Sequence, residues 1–373
     1  MRKHLFAVMA VGTAGILALT ACGSDSSSAG SSGGASAGSG SAEGGKVGVI
    51  LPDTASSARY ETLDRPLLKK AFDAAGIEAD IQNAGGDVSK FQAIADSMIS
   101  AGVDVLLIDN LDNGSGTAVI KKATNAGIPV IDYDRLTLGG GASYYVSFDN
   151  VAVGTAIGNG LIECMKANGD DDGPVVELNG SPDDNNATLF KEGYDKALKD
   201  AGYTVAASQA VQKWDPNTGG KNFQQIDTKL GGKYVGVAAA NDGLAGAVVA
   251  RLKADGTAGK VPVSGQDATT EGLQRVLLGT QCNTIYKAVS KEAEAAAKLA
   301  ISLIKQDKSG ADSQASGTTK DTTLNKDVPS VLLEPQNITA ETVKDVVADG
   351  AASADDICKD AELKKACEKY GVS

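Results

Sequence analysis

The chain is almost devoid of histidine: its 373 residues contain one, His4, close to the N-terminus. Without further imidazoles, the body of the chain has no Ser-His-Asp or Cys-His arrangement and no histidine-bearing metal site. It also lacks a basic excess. Lys and Arg number 35 against 47 Asp and Glu, a net charge of −12, so nucleic acid and anionic lipid surfaces should repel it. A bilayer span is missing too: the apolar run of residues 5–19 falls short of the roughly 20 residues a crossing needs. Tryptophan occurs once, at Trp214.

What is present at the N-terminus is a secretory pattern. Arg2 and Lys3 precede the short apolar run, and Leu19, Thr20, Ala21 and Cys22 follow it; a basic start, an apolar stretch and small residues before a cut mark a signal peptide. The Leu-Thr-Ala-Cys ending resembles the bacterial lipobox, which implies cleavage after residue 21 and lipidation of Cys22. An ordinary signal peptide with a chance cysteine is the alternative. Cleavage there removes two basic residues and no acid, taking the charge from −12 to −14. Residues 23–45 are almost wholly Ser, Gly and Ala, unable to bury a core and expected to act as a flexible tether. Four more cysteines follow: Cys164, Cys282, Cys358 and Cys367. An even number in an exported chain favours disulfides. The close spacing of Cys358 and Cys367 suits a local staple, leaving Cys164 with Cys282; four buried free thiols are the alternative.

From residue 46 short apolar runs alternate with amphipathic segments. Strands are expected at residues 46–51, 77–82, 103–108 and 129–131, and helices at 63–75, 89–101 and 116–126. The cycle restarts after residue 150 with strands at 174–178, 203–207, 235–239 and 261–264, and helices at 151–167, 187–201, 221–230 and 243–254. A further helix is expected at 290–304, followed by a polar surface loop at 305–326, expected to lack order. Such alternation predicts βαβ units and two doubly wound parallel sheets, hence two α/β lobes.

Ligands of open parallel sheets sit beyond the carboxyl ends of the strands. The segments there are residues 53–59, 109–110, 132–135, 179–186, 214–215, 241–242 and 266–267, rich in Asp, Asn, Gln and Arg, with the lone Trp. Carboxylates and amide oxygens accept from vicinal hydroxyls, Arg and amide nitrogens donate to them, and an aromatic face covers the apolar side of a sugar ring. No good nucleophile stands beside a base. Residues 139–141, three glycines, are a turn rather than a phosphate loop, since no Lys-Ser/Thr follows.

Six stretches in order carry a family likeness: Tyr133 to Arg135, YVSFDN at 145–150, GSPDDNNA at 180–187, ANDG at 240–243, SGQDA at 264–268 and TIYK at 284–287. Together they resemble the periplasmic sugar-binding proteins of ABC importers, with the type I periplasmic-binding-protein fold, and most closely the D-xylose-binding group. The likeness runs from about residue 46 to 347. It implies two lobes joined by a three-segment hinge: residues 46–147 plus 286–326, and 148–285 plus 327–373. It also implies a ligand cleft that closes about the hinge. By position it assigns sugar contact to Arg59, Tyr60, Asp134, Arg135, Asn186, Trp214, Asn241, Asp267 and Lys287, with Trp214 stacking. Tyr60 stands where that group typically has Trp.

Each assignment has a plainer competitor. Trp214 could be core, Asp134 with Arg135 a surface ion pair, and Lys287 merely solvated. Asn241 is read as the contact and Asp242 as the cap of the helix beginning at Gly243, while Asp149 and Asn150 are read as hinge and cap. One of Asp184, Asn185 and Asn186 should cap the helix that follows. The expected function is capture of D-xylose or a related aldopyranose by an extracytoplasmic, lipid-anchored monomer that delivers it to an ABC permease, with no cofactor, metal or nucleic acid. Two other classes were weighed: a sensor presenting bound sugar to a membrane receptor, and a glycoside hydrolase using Asp134 and Asp267. A repressor of the same fold is excluded by the signal peptide, the acidity and the missing helix-turn-helix.

Overall fold

Among the described residues the strands are β1 (Lys46–Leu51), β2 (Glu78–Asn83), β3 (Val105–Ile108), β4 (Val130–Tyr133), β5 (Tyr144–Phe148), β6 (Pro174–Asn179), β7 (Thr204–Ala210), β8 (Gly236–Ala239), β9 (Thr284–Tyr286), β10 (Gly317–Asp321), β11 (Lys326–Leu333) and β12 (Gln336–Ile338). This computed structural model describes residues 44–373; the expected signal peptide, Cys22 and nearly all of the tether lie outside the described residues.

Side-chain alternation explains the first lobe. Along β1, Val47, Val49 and Leu51 face a core shared with the helices Arg65–Ala74 and Val289–Ile304. Ile50 faces the opposite core, with the helices Val88–Ser100 and Asn113–Asn125. β3 repeats this, with Val105 and Leu107 on one side and Leu106 and Ile108 on the other. Strands covered on both faces must be apolar throughout, which is why they read as unbroken runs. The sheet order is β10-β11-β5-β4-β3-β1-β2, parallel except for the antiparallel β10–β11 edge.

The second lobe holds the sheet β7-β6-β8, extended by a single bridge from Val237 to Val263, and the small antiparallel pair β12-β9. Its tightest packing joins the helices Asn150–Ala167 and Asn185–Asp200. A Cβ at Gly154 would lie 2.0 Å from the Phe190 carbonyl oxygen, so only glycine permits that approach.

The chain passes between lobes after β5, after β9 and after β11, giving three crossings. Three expectations need correction. Residues 305–326 are ordered, as the helix Lys308–Gln314 and strand β10. β11 pairs in parallel with β5, from Ser330↔Tyr145 to Leu333↔Phe148, so residues 327–333 belong to the first lobe and the third crossing falls at Glu334 and Pro335. The turn at Thr323 and Leu324, whose amides donate to Asp321 Oδ1, folds β10 back onto β11. That hairpin depends on edge pairing, which a polar composition conceals. Residues 261–264 contribute one bridge rather than a strand. The helix Thr270–Leu277 and the helices beyond residue 340 had no counterpart in the expected elements.

Two disulfides occur in the second lobe, Cys164–Cys282 with a sequence separation of 118 and Cys358–Cys367 with one of 9. Loop-closure entropy ranks them: about 4–5 kcal/mol for the long loop against about 2–3 kcal/mol for the short one. Equilibrium denaturation of paired serine variants should therefore show the larger loss for Cys164→Ser with Cys282→Ser. The reverse order would mean that the short staple holds up the tail by more than loop entropy.

Candidate ligand-binding site

All nine residues assigned to ligand contact, Arg59, Tyr60, Asp134, Arg135, Asn186, Trp214, Asn241, Asp267 and Lys287, line one cavity between the lobes. The first lobe supplies Arg59, Tyr60, Asp134 and Arg135; Asn186, Trp214, Asn241 and Asp267 come from the second, and Lys287 stands on a crossing. The lobes are closed on each other and the cavity measures about 30 Å³, little more than a water needs.

Local backbone conformation aims these side chains. Arg59 precedes a π-helical turn, Tyr60–Asp64, closed by the Arg65 amide on the Tyr60 carbonyl. The wider turn puts Arg59 and Asp64 on one face: Nε and Nη2 of Arg59 donate to the two Asp64 oxygens at 3.0 and 2.9 Å, and Nη2 also reaches Glu292 at 2.6 Å. Tyr133 donates its hydroxyl to Asp64. Asp134, Trp214 and Asp267 all have positive φ, at 60°, 57° and 97°, a strain that non-glycine residues sustain only when their surroundings enforce it. For Trp214 that surrounding includes Gly180, where a Cβ would lie 2.1 Å from the indole. The indole Nε1–H donates to Asp184 at 3.1 Å, and Phe190 meets the ring edge-on at 6.4 Å. Trp214 thus lines the cavity while also packing into the second lobe's core.

Roles at the helix starts differ from expectation. Asn241, not Asp242, caps the helix Asp242–Ala254, its Oδ1 accepting from the Leu244 amide, while its Nδ2 lies 3.5 Å from the Ser56 carbonyl across the cleft. Asp242 is buried behind the site, accepting from Thr269 and Gln281. Asp184 caps the helix Asn185–Asp200, and Asp149 caps Asn150–Ala167. Asn186 donates Nδ2 to the Asp134 carbonyl at 2.8 Å, and its Oδ1 accepts from Tyr145 and Asn150. Its amide is engaged in holding the lobes together.

The nine assigned contacts leave out Phe190, Gln266 and the acids behind the cations, although Gln266, Asp109 and Asp184 fall within the candidate loop segments. Glu292 carried a readable signal: it falls on the stripe Val289, Ala293, Ala296, Ala300 that its helix buries, where an acid has no place without a partner. Asp109 stands 3.5 Å from Arg135 Nε. Asp64 gave none, because a π-helical turn leaves no sequence periodicity to read.

Five further acids (Asp64, Asp109, Asp184, Asp267 and Glu292) join Asp134 around three cations. Burial works against ionised Asp134, but Arg59, Lys287 and Arg135 outweigh it and hold the carboxyl well below its usual range. Glu292 goes the other way: burial, only partly offset by Arg59, pushes it to about 8. Asp132, buried under Thr137, rises to about 7, and Asp242 to about 6. A carboxyl with a raised folded pKa contributes its stability in full below the unfolded value, about 4.5 for Glu292, and loses it as pH rises through the folded value. Asp134 has the opposite sign and loses its contribution only below its ordinary value of 3.8. Melting temperature should therefore peak in mild acid and fall toward pH 8, and Glu292→Gln should flatten that slope by on the order of 2–4 kcal/mol. An unchanged slope in this variant would locate the responsible proton elsewhere.

Among the described residues no group of three or more His, Cys, Asp or Glu is arranged to hold a metal ion, and no helix is long and apolar enough to cross a membrane. Against known proteins, a family model described as a periplasmic binding protein domain matches residues 47–308. The D-xylose-binding periplasmic protein of Escherichia coli K12 is 35% identical over 313 residues, 82% of this chain and 90% of that protein. A multiple sugar-binding periplasmic receptor of Rhizobium radiobacter is 32% identical over 331 residues, 83% of this chain and 91% of its own length. Among solved structures, an ABC transporter solute-binding protein of Clostridium phytofermentans with bound β-D-glucose superposes with a TM-score of 0.75 at 29% identity, covering 84% of this chain and 99% of that one. The chain therefore belongs to the periplasmic binding protein family, among the sugar-binding proteins of ABC transporters.

Proposed function

We propose that this chain captures a monosaccharide, D-xylose or a related aldopyranose, by closing its lobes, and hands it to an ABC permease while tethered by lipid at Cys22. The observation that carries the reading is the convergence of nine polar and aromatic residues from both lobes on one enclosed cavity. Arg59, Arg135 and Lys287 donate only, Asp134 and Asp267 accept, and Asn186 and Asn241 do both. A ring of vicinal hydroxyls, each donor and acceptor at once, matches that mixture, and Trp214 with Phe190 offers the apolar wall. In the closed form these groups contact one another, so a sugar enters when the lobes part and its hydroxyls take over the same partners. Closure then buries the ring and brings the two lobe surfaces into the relation a permease could read.

Hydrolysis is disfavoured by charge. Asp134 is held ionised by three cations and offers no proton to a leaving group. The Rhizobium relative, named as a receptor, favours one second reading, a sensor that presents bound sugar to a membrane partner. Neighbouring genes separate the two: a permease and an ATPase for import, a membrane receptor for sensing.

Ligand screening by thermal shift and calorimetry should find a pentose or hexose that stabilises the protein by about 2.7 kcal/mol at a hundred times its dissociation constant. Silence from all aldopyranoses would remove the sugar reading. Trp214→Ala should weaken binding at least ~30-fold, the effect of losing an aromatic anchor worth about 2 kcal/mol, and abolish ligand-induced fluorescence change, since no other tryptophan exists. Trp214→Phe keeps a ring and should lose less. Equal affinity in both variants would make Trp214 a core residue alone.

A further inference from the structure

Beside the sugar cavity lies a second one of about 310 Å³, walled by both lobes: Thr54, Gly86 and Leu111 on one side, Ser181, Asp183 and Lys213 on the other. Thr54, Asp183 and Lys213 are exposed, so this cavity is the one on the solvent side, at the cleft mouth. Its volume is that of a small-molecule pocket. The two cavities have four lining residues in common, Ser56, Arg135, Asp184 and Trp214. These four form one connected row. Arg135 Nη2 donates to Ser56 Oγ at 3.2 Å, Arg135 Nε lies 3.1 Å from Asp184 Oδ2, and Trp214 Nε1 donates to the same oxygen at 3.1 Å.

We infer that the Arg135–Asp184 ion pair is a size-selecting partition: it seals the sugar cavity from the mouth, restricts the ligand to an unsubstituted monosaccharide and excludes disaccharides and glycosides. The inference rests on the sugar-binding reading of the same site.

Both partners are fixed before they meet. Arg135 is held on the first lobe by the Asn110 carbonyl at 3.2 Å, the Tyr60 hydroxyl at 3.2 Å and Asp109 behind it. Asp184 is held on the second by the Asn186 amide at 2.9 Å and by the indole. Arg135 has already lost its rotamer freedom, so the pair forms on closure at little entropic cost. Its side chains are 8% and 7% exposed, so a substituent extending from the inner ring toward the mouth would have to displace a buried ion pair. The mouth cavity is large enough to receive that substituent once the pair is gone. Arg135 would not be stranded in that event, because Asp109 remains beside it.

The test is a ratio. Calorimetry on the full-length protein with D-xylose and D-xylobiose, and in parallel D-glucose and cellobiose, compares one ring with two; each disaccharide can present either end to the inner cavity. The unaltered protein should prefer the monosaccharide by at least 100-fold. Asp184→Ser keeps a helix-capping oxygen but is too short to reach Arg135; it should weaken monosaccharide binding, since Asp184 also lines the inner cavity and holds the Trp214 indole, and should shrink the preference ratio at least tenfold. Asp184→Asn keeps the shape and the cap but not the charge, and should give an intermediate ratio; it carries the test if the serine variant fails to fold. Disaccharide binding within tenfold of monosaccharide in the unaltered protein would overturn the partition, as would an unchanged ratio in a folded Asp184 variant. If neither one ring nor two binds the unaltered protein, the sugar reading falls, and the partition with it.

Discussion

Asp134 sits one residue past the end of β4, in a left-handed conformation that aspartate rarely adopts. Its carbonyl oxygen takes three donors, the Tyr145 and Ser147 hydroxyls at 2.9 Å each and the Asn186 amide at 2.8 Å. Two come from the next strand of the first sheet and the third from the second lobe. Its amide donates to the Val146 carbonyl. With the backbone pinned on both sides, the side chain can turn only into the cleft, where Tyr60 donates to it at 2.9 Å and Arg59 lies at 3.4 Å. The strain at φ 60° is therefore sustained by hydrogen bonds that also set the distance between the lobes. Closure and the placing of the principal acceptor are one event.

Around that acceptor the charges are layered. Asp64 and Glu292 stand behind Arg59, Asp109 and Asp184 flank Arg135, and Asp267 holds Lys287 at 3.1 Å. Unpaired, each buried cation would cost several kcal/mol; paired, it stays charged and points its remaining donors into the cavity. Burial relieves part of the surplus of acid over base by raising Asp109 and Glu292, the latter to about 8, and the second oxygen of Glu292 has no partner. A site built this way presents paired, charged donors and acceptors to the cavity.

Much of this could be read from the chain because parallel strands covered on both faces leave short apolar runs, and because site residues follow strands. β1, β3, β6 and β8 lie within two residues of where their apolar runs place them; Arg59, Asp134, Arg135 and Trp214 follow strands, and Asp267 follows the single bridge at Val263. What escaped has physical causes. The β10–β11 hairpin is an edge whose residues are polar because one side faces water. Asp242 and Asn241 exchanged roles because both are good caps, and only the backbone decides which one precedes the helix. Phe190 and Glu292 lie within helices, outside the loop segments where contacts were sought, and reach the site through helix packing.

The C-terminal tail supports two residues of the site, Asp267 and Lys287, that lie beyond the second lobe's three-stranded sheet. Asp267 and Ala268, both at positive φ, lead into the helix Thr270–Leu277, and Asp267 is held by its amide on the Ile285 carbonyl. That helix in turn rests on the tail: Gln274 donates to the Asp356 and Ile357 carbonyls at 2.9 and 3.2 Å, and Ile357 and Cys367 pack into the same cluster as Leu273, Val276 and Tyr286. Tyr286 immediately precedes Lys287. The tail is thus the floor under the Asp267–Lys287 pair, and the short Cys358–Cys367 loop closes that floor on itself. A segment remote from the cleft in sequence fixes the geometry of two of its charges, because the second lobe's own sheet ends at β8 and leaves residues 263–287 to be supported from outside.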